Sequence, residues 1–151
     1  MFITHTPIGK IGFKIEDEKV VEIHLTASGK TSAPKTPVEN IIVATLANYF
    51  NQATVEIDLP FELRCTAFQK RVYLQLQKIP AGQTTTYGAL AKKLKSHPRA
   101  VGQALRANPL PLLFPCHRII GINGLTGFSG QTQGRAMAIK QHLLEHEGAK
   151  I

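Results

Sequence analysis

The chain has 151 residues and a mass of 16.6 kDa, with 43% hydrophobic and 19% charged residues, which fits one globular domain or two small lobes and excludes disordered and fibrous classes. Two cysteines are too few for a disulfide scaffold, no segment resembles a signal peptide, and the longest largely apolar run, Ile41–Phe50, is far shorter than the about 20 residues of a membrane span, so we expect a soluble, cytoplasmic protein. Residues 1–63 carry five lysines against eight acidic residues, a net −3, whereas residues 64–151 carry thirteen basic against two acidic residues, a net +11. This asymmetry favours a polyanionic partner such as nucleic acid, although a basic protein with no specific partner fits the charge equally well.

The patterns in residues 1–63 predict a small α+β lobe. Apolar and polar residues alternate over Ile11–Ile15 and again over Val21–Leu25, which predicts a β-hairpin. Apolar residues at i, i+4 and i+7 predict a helix over Val38–Phe50, and alternation over Thr54–Leu59 predicts a further strand. This lobe contains no cluster of catalytic residue types.

Residues 64–151 carry the signals of a mainly helical lobe. Thr66–Gln69 forms a capping box that opens one helix, and a last helix is predicted over Arg135–Glu147, ended by Gly148. Five glycines in Gly121–Gly134 indicate a loop that can lie close to a ligand. The expected architecture is therefore α+β, with an antiparallel sheet and a helix in the N-terminal lobe and mainly helices in the C-terminal lobe.

Two short helices inside this lobe are separated by a brief turn, Lys95–His97, which predicts a helix-turn-helix. Thr85 or Thr86 can cap the first helix, and Pro98 suits the first position of the second, which runs to about Ala107. The polar face of one short helix is usually explained by ordinary solvation. Here the absence of acidic residues from 63 to 144 favours a DNA-binding face instead. A glycine on that face would also let a DNA backbone come close. That face consists of Arg99, Gly102, Gln103 and Arg106.

Cys116 lies in a rigid, proline-rich stretch. Three prolines in Pro109–Pro115 exclude a helix, and the apolar residues around them predict that the stretch is largely buried. Positive neighbours favour the nucleophilic thiolate, and His117 could accept the thiol proton directly or through a water. Glu145 and Glu147 are the carboxylates of this lobe that could orient the imidazole. A structural Cys–His pair is the alternative, and a metal site has no supporting ligand spacing.

Ordered motifs along most of the chain resemble those of one family. The sequence Pro115–Cys116–His117–Arg118, with Asn108–Pro109 upstream, resembles the O6-alkylguanine-DNA alkyltransferases, also called methylated-DNA–protein-cysteine methyltransferases. Several further segments of this chain resemble the family in the same order. They are Thr6–Gly9, Tyr49–Phe50, Asp58–Pro60, Phe68–Gln69, Ile79–Thr84, Thr86–Ala91, Arg99–Gly102 and Leu143–Gly148.

The resemblance implies direct reversal of DNA damage. An O6-alkylguanine would be flipped out of duplex DNA, and its alkyl group would be transferred irreversibly to the Cys116 thiolate in a single turnover. His117 would act as the base through a water, and Glu147 would complete the relay. Asn108 would brace the active-site turn, and Tyr87 would donate a proton to the leaving guanine and crowd the backbone phosphate.

The resemblance also implies how DNA and the target base are held. Arg99 would fill the gap left in the base stack, on a helix that enters the minor groove. Ser129 would help to hold guanine at O6, and Phe128 would line the same pocket. Gln131–Gly134 departs from the family pattern as an insertion of a few residues. The expected DNA-binding residues are Arg99, Gly102, Gln103, Arg106 and Thr86.

The expected partner is double-stranded DNA containing O6-alkylguanine. We expect no cofactor and no membrane partner. We also expect no metal, because the zinc ligands of the animal members' first lobe have no counterpart here. The protein is expected to be a monomer that associates with the nucleoid through DNA. The alternatives are an alkyltransferase-like, non-catalytic lesion-binding protein, a helix-turn-helix regulator, and a cysteine hydrolase. Proteins of the first kind lack the cysteine, and a regulator would leave the Pro-framed Cys–His pair unexplained. A hydrolase would need oxyanion donors and would turn over repeatedly.

Overall fold

A computed structural model describes residues 1–122, 124 and 134–150. A three-stranded antiparallel sheet is followed by helices, and the predicted α+β class is confirmed. None of the helices in these described ranges is long and apolar enough to cross a membrane.

The chain divides into two compact units, and the first unit includes Arg64 and one internal segment that the sequence assigned to the second lobe. The first unit contains Met1–Arg64, and the second begins at Cys65. Pro109–Leu113, which the sequence placed in the second lobe, belongs to the first unit. The backbone gives the reason, because the N–H of Ile23 donates a hydrogen bond to the carbonyl of Pro109 at 2.8 Å.

The first unit is built on strands β1 (Phe2–Thr6), β2 (Gly9–Glu16) and β3 (Lys19–His24), in the order β1-β2-β3. The β2–β3 pair is the predicted hairpin, which is confirmed. Strand β1 was not predicted, because its sequence is short and ends next to Pro7. Helix α1 (Pro37–Asn51) confirms the predicted helix and turns a buried stripe inward, since its apolar residues recur at helical spacing.

The strand predicted over Thr54–Leu59 is wrong. The N–H of Val55 closes a turn on the carbonyl of Gln52 at 3.0 Å, and pairing begins only at Pro60, whose carbonyl accepts the N–H of Val20 at 2.8 Å. The side chains of this segment do alternate between exposed and at least partly buried. The period-two pattern therefore reflects one-sided burial of an irregular segment and not a strand in a ladder.

The second unit contains four helices and a short parallel strand pair within its described residues, and the four predicted helices are confirmed. The strand pair was not predicted, because two residues are too few to show a period. The elements are α2 (Ala67–Leu76), β4 (Thr85–Thr86), α3 (Tyr87–Lys93), α4 (Pro98–Arg106), a 3₁₀ turn (Cys116–Arg118), β5 (Ile119–Ile120) and α5 (Arg135–His146).

Local sequence signals explain where α2, α3 and α4 begin. The Thr66 hydroxyl accepts the N–H of Gln69, and the Gln69 side chain accepts the N–H of Thr66, so the predicted capping box is confirmed. Thr86, and not Thr85, caps α3. Pro98 occupies the first turn of α4, as predicted.

Tyr73 joins α2 to α4 and to the cysteine turn. Its phenol is fully buried and donates to the carbonyl of Ala104 at 2.7 Å, near the end of α4, where helix carbonyls lack intrahelical donors. Its ring lies 5.9 Å from the ring of Phe114, two residues before Cys116. One side chain thus sets the position of α4 relative to the turn that carries the thiol.

Tyr73→Phe should therefore lower the free energy of unfolding by about 1–2 kcal/mol, because the Ala104 carbonyl would lose a buried donor while the packing volume hardly changes. Urea unfolding of both proteins measures this difference. Equal midpoints would contradict the assigned hydrogen bond.

Candidate active site

Cys116 lies in a buried turn whose backbone is closed by short hydrogen bonds. Its N–H donates to the carbonyl of Phe114 at 2.8 Å, and the N–H of Arg118 donates to the carbonyl of Pro115 at 3.1 Å. The side-chain amide of Asn108 donates to the same Phe114 carbonyl at 2.9 Å. Cys116 is 6% exposed, so the predicted burial of this stretch is confirmed.

The imidazole of His117 contacts the carboxylate of Glu147 at the end of α5. His117 Nε2 lies 2.9 Å from Glu147 Oε2, and both side chains are buried. Because an ionised carboxylate only accepts hydrogen bonds, Nε2 carries the proton, and Nδ1 is then the ring atom with a lone pair. This tautomer can take a proton at Nδ1, as a general base must.

Arg118 completes the pairing of Glu147. Its Nε donates to Oε1 and its Nη2 to Oε2, each at 2.9 Å, in a bidentate arrangement. Its Nη1 donates to the carbonyl of Ile79 in the turn after α2. The carboxylate therefore accepts three hydrogen bonds from charged or ionisable donors of the cysteine turn.

Burial dominates the titration of the Cys116 thiol. Loss of solvent raises its pKa to about 11, although a hydrogen bond from Asn108 and the charge of Lys140 both act in the opposite direction. Positive charge does favour the thiolate, since Lys140 lowers the pKa of Cys116, but desolvation outweighs this effect. At neutral pH the sulfur carries its proton and needs a base to remove it.

His117 is suited to that task because it is neutral at rest. Burial lowers the pKa of His117, the hydrogen bond and negative charge of Glu147 oppose this shift, and the cations Arg118 and Lys140 add to it. A neutral imidazole can accept a proton, whereas an imidazolium cannot.

Lys140 is a buried residue of this site that the sequence analysis missed. It is 0% exposed, and its Nζ donates to the carbonyl of Ile119 at 2.7 Å and lies 5.9 Å from the ring centre of Tyr87. Burial lowers its pKa to about 8, and a negative charge on Cys116, when that thiol is ionised, would oppose this shift. The signal was present, since Lys140 is four residues from Ala136 and from Leu144 on the buried stripe of α5.

The predicted DNA-facing residues lie on the exposed side of α4, away from its buried stripe of Val101, Ala104 and Leu105. Arg99, Gln103 and Arg106 are exposed. Apart from the backbone of α4 itself and the neighbouring residues in the chain, no described atom lies within 4 Å of the position that a Cβ would occupy at Gly102. Thr86 uses its hydroxyl to cap α3, where it accepts the N–H of Ala89 at 3.0 Å, so this hydroxyl is already engaged in the free protein.

Two predicted pocket residues, Phe128 and Ser129, lie outside the described residues, as does the predicted insertion Gln131–Gly134 up to its last residue. Glu145, the other carboxylate considered for the relay, is exposed and accepts a hydrogen bond from Gln141. The structure thus brings together Cys116, Asn108, His117 and Glu147 in the second unit.

Comparison with known proteins gives consistent matches. Residues 67–149 match the family model described as the DNA-binding domain of 6-O-methylguanine DNA methyltransferase. A methylated-DNA–protein-cysteine methyltransferase of Metallosphaera sedula is 36% identical over 147 residues, which cover 97% of this chain and 91% of that protein. One from Archaeoglobus fulgidus is 40% identical over 106 residues, 68% of this chain and 71% of that protein. The crystal structure of Mycobacterium tuberculosis OGT in complex with DNA has a TM-score of 0.81 and 31% identity, with coverage of 97% and 91%.

The chain belongs to the methylated-DNA–protein-cysteine methyltransferase family. The family model spans more than half of the chain, and the Metallosphaera relative covers nearly all of it. The range that matches the methyltransferase family model, residues 67–149, includes the whole buried site. The site residues in this range are Cys116, His117, Lys140 and Glu147.

The buried Lys140 amine makes a prediction for the pH dependence of stability. Its pKa is lowered in the folded protein from 10.5 to about 8, so the folded chain releases this proton before the unfolded chain does. The contribution of Lys140 to the free energy of unfolding therefore increases as pH rises from about 8 to 10.5. The same contribution is lost again as pH falls from 10.5 through the folded-state pKa of about 8. Relative to Lys140→Met, the wild-type protein should gain roughly 1–3 kcal/mol across this window.

Urea unfolding at several pH values measures this difference, in which the titration of groups distant from Lys140 cancels. Lys78→Met is the matched control, because Lys78 is exposed. A stability difference between the wild-type protein and Lys140→Met that does not change with pH would contradict the assignment.

Proposed function

We propose that this protein repairs DNA by transferring the alkyl group of O6-alkylguanine to Sγ of Cys116. The observation that carries the proposal is a buried thiol in the same turn as an imidazole that is hydrogen-bonded to a buried carboxylate, His117 to Glu147 at 2.9 Å. A buried cysteine alone is usually inert. Here the neighbouring groups supply what a thiol nucleophile needs, namely a neutral base and a fixed orientation for that base.

The reaction is a displacement at a saturated carbon. Sγ of Cys116 forms a bond to the alkyl carbon while the bond from that carbon to O6 of guanine breaks. The thiol proton passes to Nδ1 of His117 through a water, and Glu147 stabilises the imidazolium that forms. The leaving guanine takes a proton, for which Tyr87 at the start of α3 is the proposed donor. No oxyanion forms on a tetrahedral carbon, so this chemistry needs no oxyanion hole.

The target must leave the DNA stack before it can reach a buried sulfur. Base flipping supplies that step, and its unstacking cost must be recovered from contacts to the remaining DNA. We assign these contacts to a helix-turn-helix made of α3 and α4, with Arg99 filling the vacated position. Gln103 and Arg106, which share the exposed face of α4 with Arg99 and Gly102, would contact the DNA around the vacated position.

The product is a thioether, which thiol exchange does not reverse. The protein would therefore act once and be spent, so it is a stoichiometric methyltransferase and not a recycling one. The proposed partner is double-stranded DNA that contains the lesion, and the proposed location is the cytoplasm, in contact with the nucleoid.

Cys116→Ala should abolish alkyl transfer and leave DNA binding within about twofold, because the substitution removes the nucleophile from a buried position away from the α4 surface. The measurement is intact mass after mixing with a duplex that carries one O6-methylguanine, followed by peptide mapping. Cys65→Ala is the matched control and should accept one methyl group as the wild-type protein does. Methylation of the Cys116→Ala protein, or a wild-type methyl group mapped to Cys65, would disprove the assignment.

Gly102→Ala should separate folding from DNA binding. An alanine methyl group meets no described atom in the free protein, and alanine favours a helix by roughly 0.5–1 kcal/mol over glycine, so the variant should be at least as stable as wild type. The same methyl group should weaken binding to duplex DNA about tenfold if the DNA backbone lies against this position. Reaction with free O6-alkylguanine base is the internal control and should be unchanged. Undiminished duplex affinity would place the DNA elsewhere.

A further inference from the structure

Arg118 joins three separate segments of the second unit through one guanidinium group. It belongs to the cysteine turn, binds the carboxylate at the end of α5 through two nitrogens, and binds the carbonyl of Ile79 through the third. Its side chain is 14% exposed and Glu147 is fully buried. Every guanidinium nitrogen therefore has a described partner.

The turn after α2 approaches the same carboxylate-bearing residue from a second direction. A Cβ placed on Gly82 would lie 2.8 Å from the backbone oxygen of Glu147, and Gly82 has a φ of 87°, a conformation that favours glycine. The turn is thus held against the end of α5 by close packing at Gly82 and by the Arg118 hydrogen bond at Ile79. The position of the Glu147 carboxylate is fixed from both sides.

A buried carboxylate paired only with an imidazole would attract a proton to the pair. Loss of solvent disfavours an isolated negative charge, and either protonation of His117 or protonation of Glu147 would remove it. The fixed positive charge of Arg118 neutralises the carboxylate without a proton. The pair then keeps one proton, on Nε2, and Nδ1 remains able to accept the proton of the thiol.

We propose that Arg118 is a positioning residue of the reaction, which holds the Glu147 carboxylate against His117 and keeps the pair from taking up the proton that would block it as a base. This proposal rests on the proposed alkyl transfer. On this proposal, Arg118 determines the pH below which methyl transfer becomes slow. The charges act in agreement with the geometry, because the cation Arg118 lowers the pKa of His117 while Glu147 opposes this effect.

The charged and titratable groups that face His117 come from three directions. Lys140 lies on α5 and Glu147 directly follows that helix, and Arg118 and Cys116 lie on the same turn as His117. Tyr73 comes from α2, which also packs on this turn, and its phenol donates to Ala104. Lys140 and Arg118 both lower the pKa of His117, and Arg118 also binds the Glu147 carboxylate through two nitrogens.

The test compares Arg118→Gln, which removes the charge, with Arg118→Lys, which keeps the charge but lacks the fork. The first readout is the single-turnover rate of methyl transfer from an O6-methylguanine duplex as a function of pH. The second is the pH titration of the His117 ring protons by NMR in unreacted protein, identified by their absence in His117→Gln. Arg64→Gln is the matched control, because it removes an equal charge from an exposed ion pair in the first unit.

For Arg118→Gln we expect both titrations to move to higher pH by roughly one unit or more, because removal of a nearby cation favours the protonated pair. A shift of one unit corresponds to about a tenfold loss of rate on the acid side. For Arg118→Lys we expect a shift below half a unit and a lower plateau rate. Arg64→Gln should leave both titrations in place.

A purely structural role for Arg118 gives a different result. Arg118→Gln would then lower the rate or the melting temperature with both titrations unchanged, and the proposal would be overturned. If Arg118→Gln fails to fold, Arg118→Lys still decides, because a full one-unit shift despite the retained charge would overturn it as well. A wild-type protein that transfers no methyl group would refute the proposed function alone, since the NMR titration reads the Arg118 effect without any transfer.

Discussion

The buried carboxylate of Glu147 is the group that holds several segments of the second unit together within its described residues. A buried carboxylate is costly unless it is paired and hydrogen-bonded, and here the imidazole and the guanidinium of two consecutive residues supply its partners. Because those residues directly follow Cys116, the pairing also fixes the turn that carries the thiol. The end of α5, the cysteine turn and the turn after α2 are thereby held in one arrangement.

The same burial that makes this pairing strong makes the thiol difficult to ionise. Desolvation raises the pKa of Cys116 more than the Asn108 hydrogen bond and the Lys140 charge lower it, so the resting sulfur is protonated. A protonated, buried thiol reacts slowly with oxidants and stray electrophiles. The thiol proton then has to be removed when an alkyl group is in place, and the neutral His117 is the base proposed to accept it. Protection of the nucleophile and its dependence on a base follow from one physical cause.

Local signals in the sequence predicted most of the helical framework. Thr66, Thr86 and Pro98 mark helix starts through contacts within one turn of chain, so no tertiary information was needed to find them. Glu147 emerged as a candidate because the second lobe contains only two acidic residues, and its burial separates it from the exposed Glu145. The strand predicted after α1, over Thr54–Leu59, was wrong because it needed tertiary information. Alternation indicates one-sided burial, but it does not show whether a partner strand is present.

The electrostatics of the site could not be predicted from neighbours in the sequence. A cysteine followed by a histidine and an arginine suggests a stabilised thiolate, but solvent exclusion depends on residues far along the chain. Lysine is ordinarily a surface residue, so Lys140 was passed over although its spacing on α5 put it on the buried side. The role of Arg118 required the position of Ile79, thirty-nine residues away, which no local pattern supplies.

The central claim is that Cys116 is a protonated thiol at rest and is ionised only with the help of His117. The most direct test is the infrared S–H stretching band of the Cys65→Ala protein, in which Cys116 is the single thiol. The account predicts a band that is present at neutral pH and disappears with a midpoint at about 11. Absence of the band at neutral pH would show a resting thiolate, and the need for a base would be contradicted.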